Sequence, residues 1–246
     1  LGYRRQVPLK PVPRRSVTDD VFDQIAGEVL RGSVAAGAAL PSERRLAEVL
    51  GVSRPSVREA LKRLGHAGLV DVRQGDVTTV RDYRRSAGME LLPQLLMFGG
   101  TVDVPTARSI METRLHVGPF AAELAARRGG AALGPALQAA LDELVAQTDP
   151  VERQFAALAF WDVLVDGADS IALRLMYNSL RASYEPVIEA MSAVMDAEVS
   201  NRSAYRRLAT AVTAGRPGAA AKAAADLLRP ATEAVLDALH ALVEAP

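Results

Sequence analysis

The apolar positions of this chain change their spacing as it proceeds. They recur at helical intervals up to about residue 65, alternate over the following stretch, and return to helical spacing from residue 86 onward. Val21, Ile25 and Val29 mark the inward face of a helix expected over 19–30, with Thr18 as its cap and Gly32 at its end. An Ala- and Gly-rich loop over 33–40 matches a segment that lays a short strand beside a hairpin. Leu46 and Leu50 then repeat at one turn on a second helix, for which Ser42 is the cap and Glu43 suits the positive end of the dipole. After a Gly51-Val52 turn, a third helix starts at Ser53. Pro55 falls in its first turn, where a missing N–H costs little, and Val57, Leu61 and Leu64 form its buried stripe.

Leu69, Val70 and Val72 alternate, Gln74-Gly75-Asp76 supply a tight turn, and a second strand is expected over 77–80. Two short capped helices, a turn and a hairpin spell a winged helix-turn-helix. With its apolar stripe facing inward, the third helix turns Arg54 and Arg58, four residues apart, outward near its N-terminal end. An isolated arginine pair would merely solvate a helix. In this context it has the arrangement that enters a major groove, where arginine can donate two hydrogen bonds to guanine.

Beyond a charged stretch at 81–85, taken as the domain boundary, the strand signal disappears. Gly, Pro and Asp punctuate Ala/Leu-rich segments into seven expected helices, over 86–98, 104–128, 132–146, 151–166, 170–196, 202–214 and 218–244. Leu228, Ala231, Val235, Leu239 and Leu242 show the spacing of a helix that buries one stripe. Helices without a sheet make an antiparallel bundle. The fold class is therefore mainly α: an arm at 1–15, a winged helix-turn-helix domain at 16–82 and an all-helical domain at 86–246.

The chain's 246 residues suit two domains, and its formal net charge is zero. That balance conceals two opposed halves. Residues 1–85 hold 16 Lys+Arg against 10 Asp+Glu, and residues 86–246 hold 13 against 19. A basic head on an acidic body fits a DNA-binding protein with a separate regulatory domain. There are no cysteines, which excludes disulfides and thiolate metal sites and makes a reducing cytoplasm the expected compartment. The apolar run at 91–102 is too short to span a bilayer and contains Pro93, so no membrane partner is expected. Arg4, Arg5, Lys10, Arg14 and Arg15 among prolines read as a basic arm and not as a secretory signal.

From about Ser16 to Arg81 the chain resembles the N-terminal domain of the GntR family of bacterial repressors. It carries that family's Leu-Pro-Ser-Glu-Arg-x-Leu-Ala run at 40–47 and its Val-Ser-Arg-x-x-Val-Arg-Glu-Ala-Leu-x-x-Leu run at 52–64. The resemblance implies that Arg44 holds phosphate or base, that Arg54 and Arg58 read guanines, and that Ser56, beside the capping Ser53, touches the backbone. It also implies that Gln74 and Gly75 at the wing tip reach the minor groove. FadR-type members often have histidine where Gln74 stands, and the exchange keeps a hydrogen-bond donor there. The stretches at 72–82 and at Leu175-Met176-Tyr177-Asn178 extend the likeness to mycobacterial repressors of mammalian-cell-entry (Mce) lipid-import operons.

The helical half resembles the effector domain of the FadR subfamily, which binds either a carboxylate with the help of a metal or, without metal, a fatty acyl group. The metal ligands of that subfamily fall here on Ala157, Trp161, Tyr205 and about Asp226, and His66, His116 and His240 lack the spacing for such a site. Neither a metal nor a cofactor is expected. Trp161 and Tyr205 then either fill the old cavity as core or serve as polar handles in an apolar cleft. Arg114, in Glu112-Thr113-Arg114, is the candidate for gripping a ligand's carboxylate or thioester end, with an ion pair inside the bundle as the plainer alternative.

The expected function is that of a homodimeric repressor on a palindromic operator, released by a fatty acid or acyl-CoA. An effector-independent DNA-binding dimer is the alternative. A fusion to a pyridoxal-phosphate enzyme would need an α/β domain and a Schiff-base lysine, and the C-terminal half offers only Lys222.

Overall fold

Ser16, not Thr18, opens the first helix. In the computed structural model, which describes residues 16–72, 77–98 and 101–244, Ser16 Oγ accepts from Asp19 N at 3.1 Å, and Asp19 Oδ2 accepts from Ser16 N at 3.1 Å. This reciprocal box satisfies two orphan donors at once, which a Thr18 cap would not do, and so α1 runs from Val17 to Leu30. Its buried face is Val21, Phe22, Ile25, Ala26 and Val29. Ser42 caps α2 (Glu43–Leu50), which ends at Gly51 in the left-handed conformation, and Ser53 caps α3 (Arg54–His66). Val57, Ala60, Leu61 and Leu64 of α3 are 0–2% exposed.

The hairpin is shorter than its apolar pattern suggested. Strand β1 is Val70–Asp71 and β2 is Thr79–Val80, antiparallel with Val70 opposite Val80. Leu69 and Val70 are both buried while Val72 lies open: Leu69 sits in the turn that closes α3, its N–H bonding to Leu64 O at 2.9 Å. On the far side of β2, Ala39 bridges Thr79, and Leu40 N donates to Thr78 O at 2.8 Å, so the loop before α2 lies beside the hairpin through a single-residue bridge and not a full strand. The turn expected at 74–76 lies outside the described residues.

Asp82 caps a one-turn helix, α4 (Tyr83–Ser86), and Ser86 Oγ donates to Gly68 O at 2.8 Å. These bonds hold the charged stretch to the first unit, so the chain passes to its second compact unit between Gly88 and Met89, a few residues beyond the expected boundary.

In the second unit the helix expected over 86–98 is broken into a 3-10 turn (Met89–Leu91), α5 (Leu92–Leu96) and a two-residue ladder of β3 (Met97–Phe98) and β4 (Thr101–Val102). The half is therefore not wholly without strands. Pro93 in the first turn of α5 explains why no helix runs through from residue 86. Asp103 caps α6 (Val104–Arg128), which is followed by α7 (Gly134–Ala146) and α8 (Pro150–Gly167). The single helix expected over 170–196 is two, α9 (Ile171–Tyr184) and α10 (Ile188–Val199), joined by a 3-10 turn at Glu185–Val187. Pro186 is the cause, since it has no N–H for the ladder and crowds the carbonyl one turn back. The bundle closes with α11 (Arg202–Thr213) and α12 (Pro217–Glu244).

Helices α6 and α12 run antiparallel, as shown by Arg114 beside Thr232 and Gly118 beside Leu228. Leu137, Leu144, Phe160, Leu164, Leu208 and Leu227 form the fully buried centre. On α12, Leu228, Ala231, Val235 and Leu239 face inward; the side chain of Leu242 lies outside those described.

Candidate nucleic-acid interface and effector cavity

The outer face of α3 is built by its cap. Ser53 Oγ accepts from Ser56 N at 3.3 Å and shares a hydrogen bond with Ser56 Oγ at 2.8 Å, which fixes the start of the helix. Arg54 then stands exposed at the first helical position, and Arg58 one turn on has a side chain 55% exposed. Four of the expected DNA-binding residues (Ser53, Arg54, Ser56 and Arg58) thus share one end of one helix. Arg44 lies on α2, 73% exposed and paired with Glu48 at 3.0 Å. Gln74 and Gly75 are outside the described residues.

Glu43 is the residue that sequence reasoning undervalued. Arg58 Nε lies 3.1 Å from both Glu43 carboxylate oxygens and Nη2 is 2.9 Å from Oε2, a two-pronged grip across α2 and α3. Hydrogen bonding to Arg58, with Arg54 and Lys62 nearby, holds the Glu43 carboxyl below its ordinary range. The guanidinium is thereby held in one orientation on a carboxylate, the same fork that guanine or phosphate would occupy. Arg63 does similar work on the other side of α3. It bonds Asp19 of α1 at 2.5 Å and lies over the Phe22 ring, 4.9 Å from its centroid.

The helical unit encloses a cavity of about 120 Å³ bordered by α6, α8, α9, α10 and α12. Its wall is chiefly apolar, with Arg114, Gln154, Trp161, Tyr184 and Glu198 among the exceptions. Arg114 does not offer a free cation. Its guanidinium donates to Glu198 Oε1, and to Thr232 Oγ1 at 3.2 Å, so the plainer alternative, an ion pair inside the bundle, is what forms. Burial pushes the Glu198 carboxyl up, against the pull of Arg114. Trp161, 7% exposed, lines the cavity. Tyr205 does not. It is 0% exposed and meets Phe160 edge to face at 5.0 Å, as a core aromatic.

Two cavity residues escaped the sequence reading. Gln154 and Glu198 are each 2% exposed, and Gln154 Nε2 and Glu198 Oε2 have no protein partner. A buried polar atom left so costs about 1–3 kcal/mol. The signal was present in the spacing: Gln154 heads the stripe Gln154, Ala157, Trp161, and Glu198 ends the stripe Met191, Met195, Glu198, each a polar residue on a buried face. Among the described residues no three His, Asp or Glu gather as a metal site would need, and Asp226 bonds Lys222 at 2.9 Å. No described helix is long and apolar enough to cross a membrane.

A winged helix-turn-helix with two arginines turned outward, followed by a helical unit, is the arrangement of a DNA-binding regulator. Comparison with known proteins agrees and narrows the class. Residues 17–80 match the model for bacterial regulatory proteins of the gntR family, and 109–230 match the FCD domain. The chain is 54% identical over 231 residues, 94% of its own length and 96% of the relative's, to the HTH-type transcriptional regulator Mce2R of Mycobacterium tuberculosis. The chain belongs to the GntR family, with a FadR-like helical domain, and is a DNA-binding transcriptional regulator. A fatty acid metabolism regulator protein of Vibrio vulnificus is 34% identical over 91 residues, 37% of this chain and 31% of that one. The solved structure of Lar of Listeria monocytogenes has the same fold, with TM-score 0.57 at 18% identity over 92% of this chain and 99% of that one.

Proposed function

We propose that this regulator is a homodimeric repressor which binds a palindromic operator and lets go when a lipid-like molecule, of the class that includes fatty acids and acyl-CoA esters, enters its helical unit. The observation that carries the DNA half is the exposed end of α3, where Ser53, Arg54, Ser56 and Arg58 stand together on a helix sealed behind by Val57, Leu61 and Leu64. In this reading Arg54 and Arg58 read guanines, Ser56 touches the backbone, Arg44 holds phosphate or base, and Gln74 and Gly75 reach the minor groove. One such helix reads only a few base pairs, so two copies about one helical turn apart supply the specificity a repressor needs. The effector half is supported by the apolar cavity and by the likeness to a fatty acid metabolism regulator. A pyridoxal-phosphate fusion has no support, since the described second unit is helical apart from one two-residue ladder and Lys222 is engaged with Asp226 on the surface.

The experiment selects an operator from a random duplex pool with the wild-type chain and then measures affinity and salt dependence for Arg54→Ala and Arg58→Ala. Each should lose about 1–3 kcal/mol, roughly five- to 150-fold, on the selected site and much less on random DNA. Equal losses on both kinds of DNA would make these arginines phosphate contacts only, and unchanged affinity would remove α3 from the interface. Palmitate and palmitoyl-CoA should each be tested for raising the melting temperature and weakening the operator complex.

A further inference from the structure

The cavity of the helical unit is bordered by two guanidiniums, and both are already paired, Arg114 with Glu198 and Arg181 with Asp162 and Glu185. The charge of Arg114 is answered by Glu198, and a second N–H of its guanidinium goes to Thr232, which in turn bonds Leu228 O at 2.8 Å. A ligand carboxylate would meet no uncompensated cation here and would lie against the Glu198 charge instead. Two hydrogen-bonding positions remain in the cavity's wall. Glu198 Oε2 is an acceptor without a donor. Gln154 Nε2 is a donor without an acceptor, in the amide orientation in which Oε1 accepts from Tyr184 OH at 2.7 Å. Buried native polar atoms rarely go unpaired. Here two of opposite kind, on α8 and α10, border one cavity whose remaining wall includes Ile110, Met111, Val117 and Leu180.

We infer that the cavity takes an uncharged lipid-like molecule whose head carries both a hydrogen-bond donor and a carbonyl-type acceptor. The donor serves Glu198 Oε2 and the acceptor serves Gln154 Nε2, while the apolar body fills the space between α6 and α9. This rests on the reading of the helical unit as an effector domain and narrows it to a head-group chemistry. It also moves the specificity from Arg114, which stays bound to Glu198, to the two side chains that the pair and Tyr184 leave open.

Calorimetric titration of the full-length chain at neutral pH with octanamide, octanol and octanoate tests it, since the three share one chain and differ only in head. Octanamide, with N–H and C=O on a neutral head, should bind at least about tenfold more tightly than octanoate, with octanol between them. Glu198→Gln removes the negative charge, leaves Arg114 uncompensated, and should reverse the order in favour of octanoate. Gln154→Leu alters no charge. It should weaken octanamide about tenfold and leave octanoate unchanged; circular dichroism checks the fold of both variants, and should Glu198→Gln not fold, Gln154→Leu carries the test. Octanoate binding the wild type as tightly as octanamide, or palmitate raising the melting temperature where octanamide does not, overturns the neutral head while leaving a lipid effector in place. A chain that none of these probes nor palmitoyl-CoA binds loses both readings.

Discussion

The winged unit and the helical unit both join helices by ion pairs over apolar cores, but among the described residues the helical unit has the pair whose carboxylate is buried. In the first, α3 is tied to α1 by Arg63 and Asp19 and to α2 by Arg58 and Glu43, and all four side chains are 30–55% exposed. In the second, helices meet through Leu, Ala and aromatic side chains, and α6 is tied to α10 by Arg114 and Glu198, the carboxylate only 2% exposed. Exposed pairs contribute about 0–1 kcal/mol because water competes for both partners. Such a pair can be exchanged for phosphate or a base edge at little cost, which suits a surface that binds and releases DNA. A buried pair cannot be opened cheaply, so it belongs to the architecture, and any ligand chemistry beside it must leave it intact.

The largest effect expected from this contrast comes from cutting the matching arginines. Arg114→Met strands the Glu198 carboxyl in the interior, and the cost should be about 3 kcal/mol, the low end for a broken buried pair because the carboxyl can take up a proton. The melting temperature should fall by roughly 6–12 °C. Arg58→Met, by contrast, should barely move the melting temperature, because water already competes for both partners, while operator binding drops. Equal thermal losses in the two variants would erase the distinction drawn between the units.

A smaller effect separates two glycines within the winged unit. Gly68 has φ +73°, and a Cβ there would stand 2.7 Å from Ser86 O and 2.8 Å from Ala87 Cα, where the end of the unit folds back onto the turn after α3. Gly51 has φ +66° but faces open space. Gly51→Ala should therefore cost only the conformational penalty, about 1 kcal/mol, whereas Gly68→Ala adds displacement of the 86–87 backbone and should reach about 2–3 kcal/mol. Urea midpoints of the two variants check this, and a Gly51→Ala loss as large as that of Gly68→Ala would mean the close approach to Ser86 contributes nothing.

How much of this was legible in the sequence depends on the range over which each signal acts. The caps at Ser42 and Ser53, the inward stripe of α3 and the outward Arg54 and Arg58 follow from spacing within a few residues, and they fold as read. The Ser16–Asp19 box was misplaced by two residues because Thr18 is an equally good cap chemically, and only the reciprocal bond from Asp19 decides between them. The break at Pro186 was readable and was passed over, since the apolar spacing continues on both sides of it. The bonds from Arg58 to Glu43 and from Arg114 to Glu198 span 15 and 84 residues. Nothing in local periodicity pairs them, which is why Arg114 reads as a candidate ligand grip or an ion pair with no partner named, and Glu43 as a dipole residue only. Trp161 and Tyr205 illustrate the same limit: both fit an apolar site by chemistry, but only their depth, one on the cavity wall and the other behind it, separates their roles.

The smallest effect, acid sensitivity, tests whether the two units answer pH in opposite senses. Hydrogen bonds from Arg63 and Ser16 hold the Asp19 carboxyl down to about 2, from an ordinary 3.8, and bonding to Arg58 holds Glu43 below its ordinary range. A depressed folded-state value means that the unfolded chain binds the proton more readily. The stability that Asp19 supplies is therefore complete above 3.8 and is lost as pH falls from there through about 2. Glu198 has the opposite sign. Burial raises it, so protonation in acid favours its folded state, and its contribution declines only as pH rises above the ordinary value of 4.5. Trp161 is the only tryptophan in the chain and lies in the helical unit, so its fluorescence follows that unit alone. On acidification the far-UV circular dichroism should begin to fall before the Trp161 emission shifts, and Asp19→Asn should flatten that first loss. If both signals moved at one pH, and Asp19→Asn moved neither, the exposed ion pairs of the winged unit would not be what distinguishes its stability from that of the bundle.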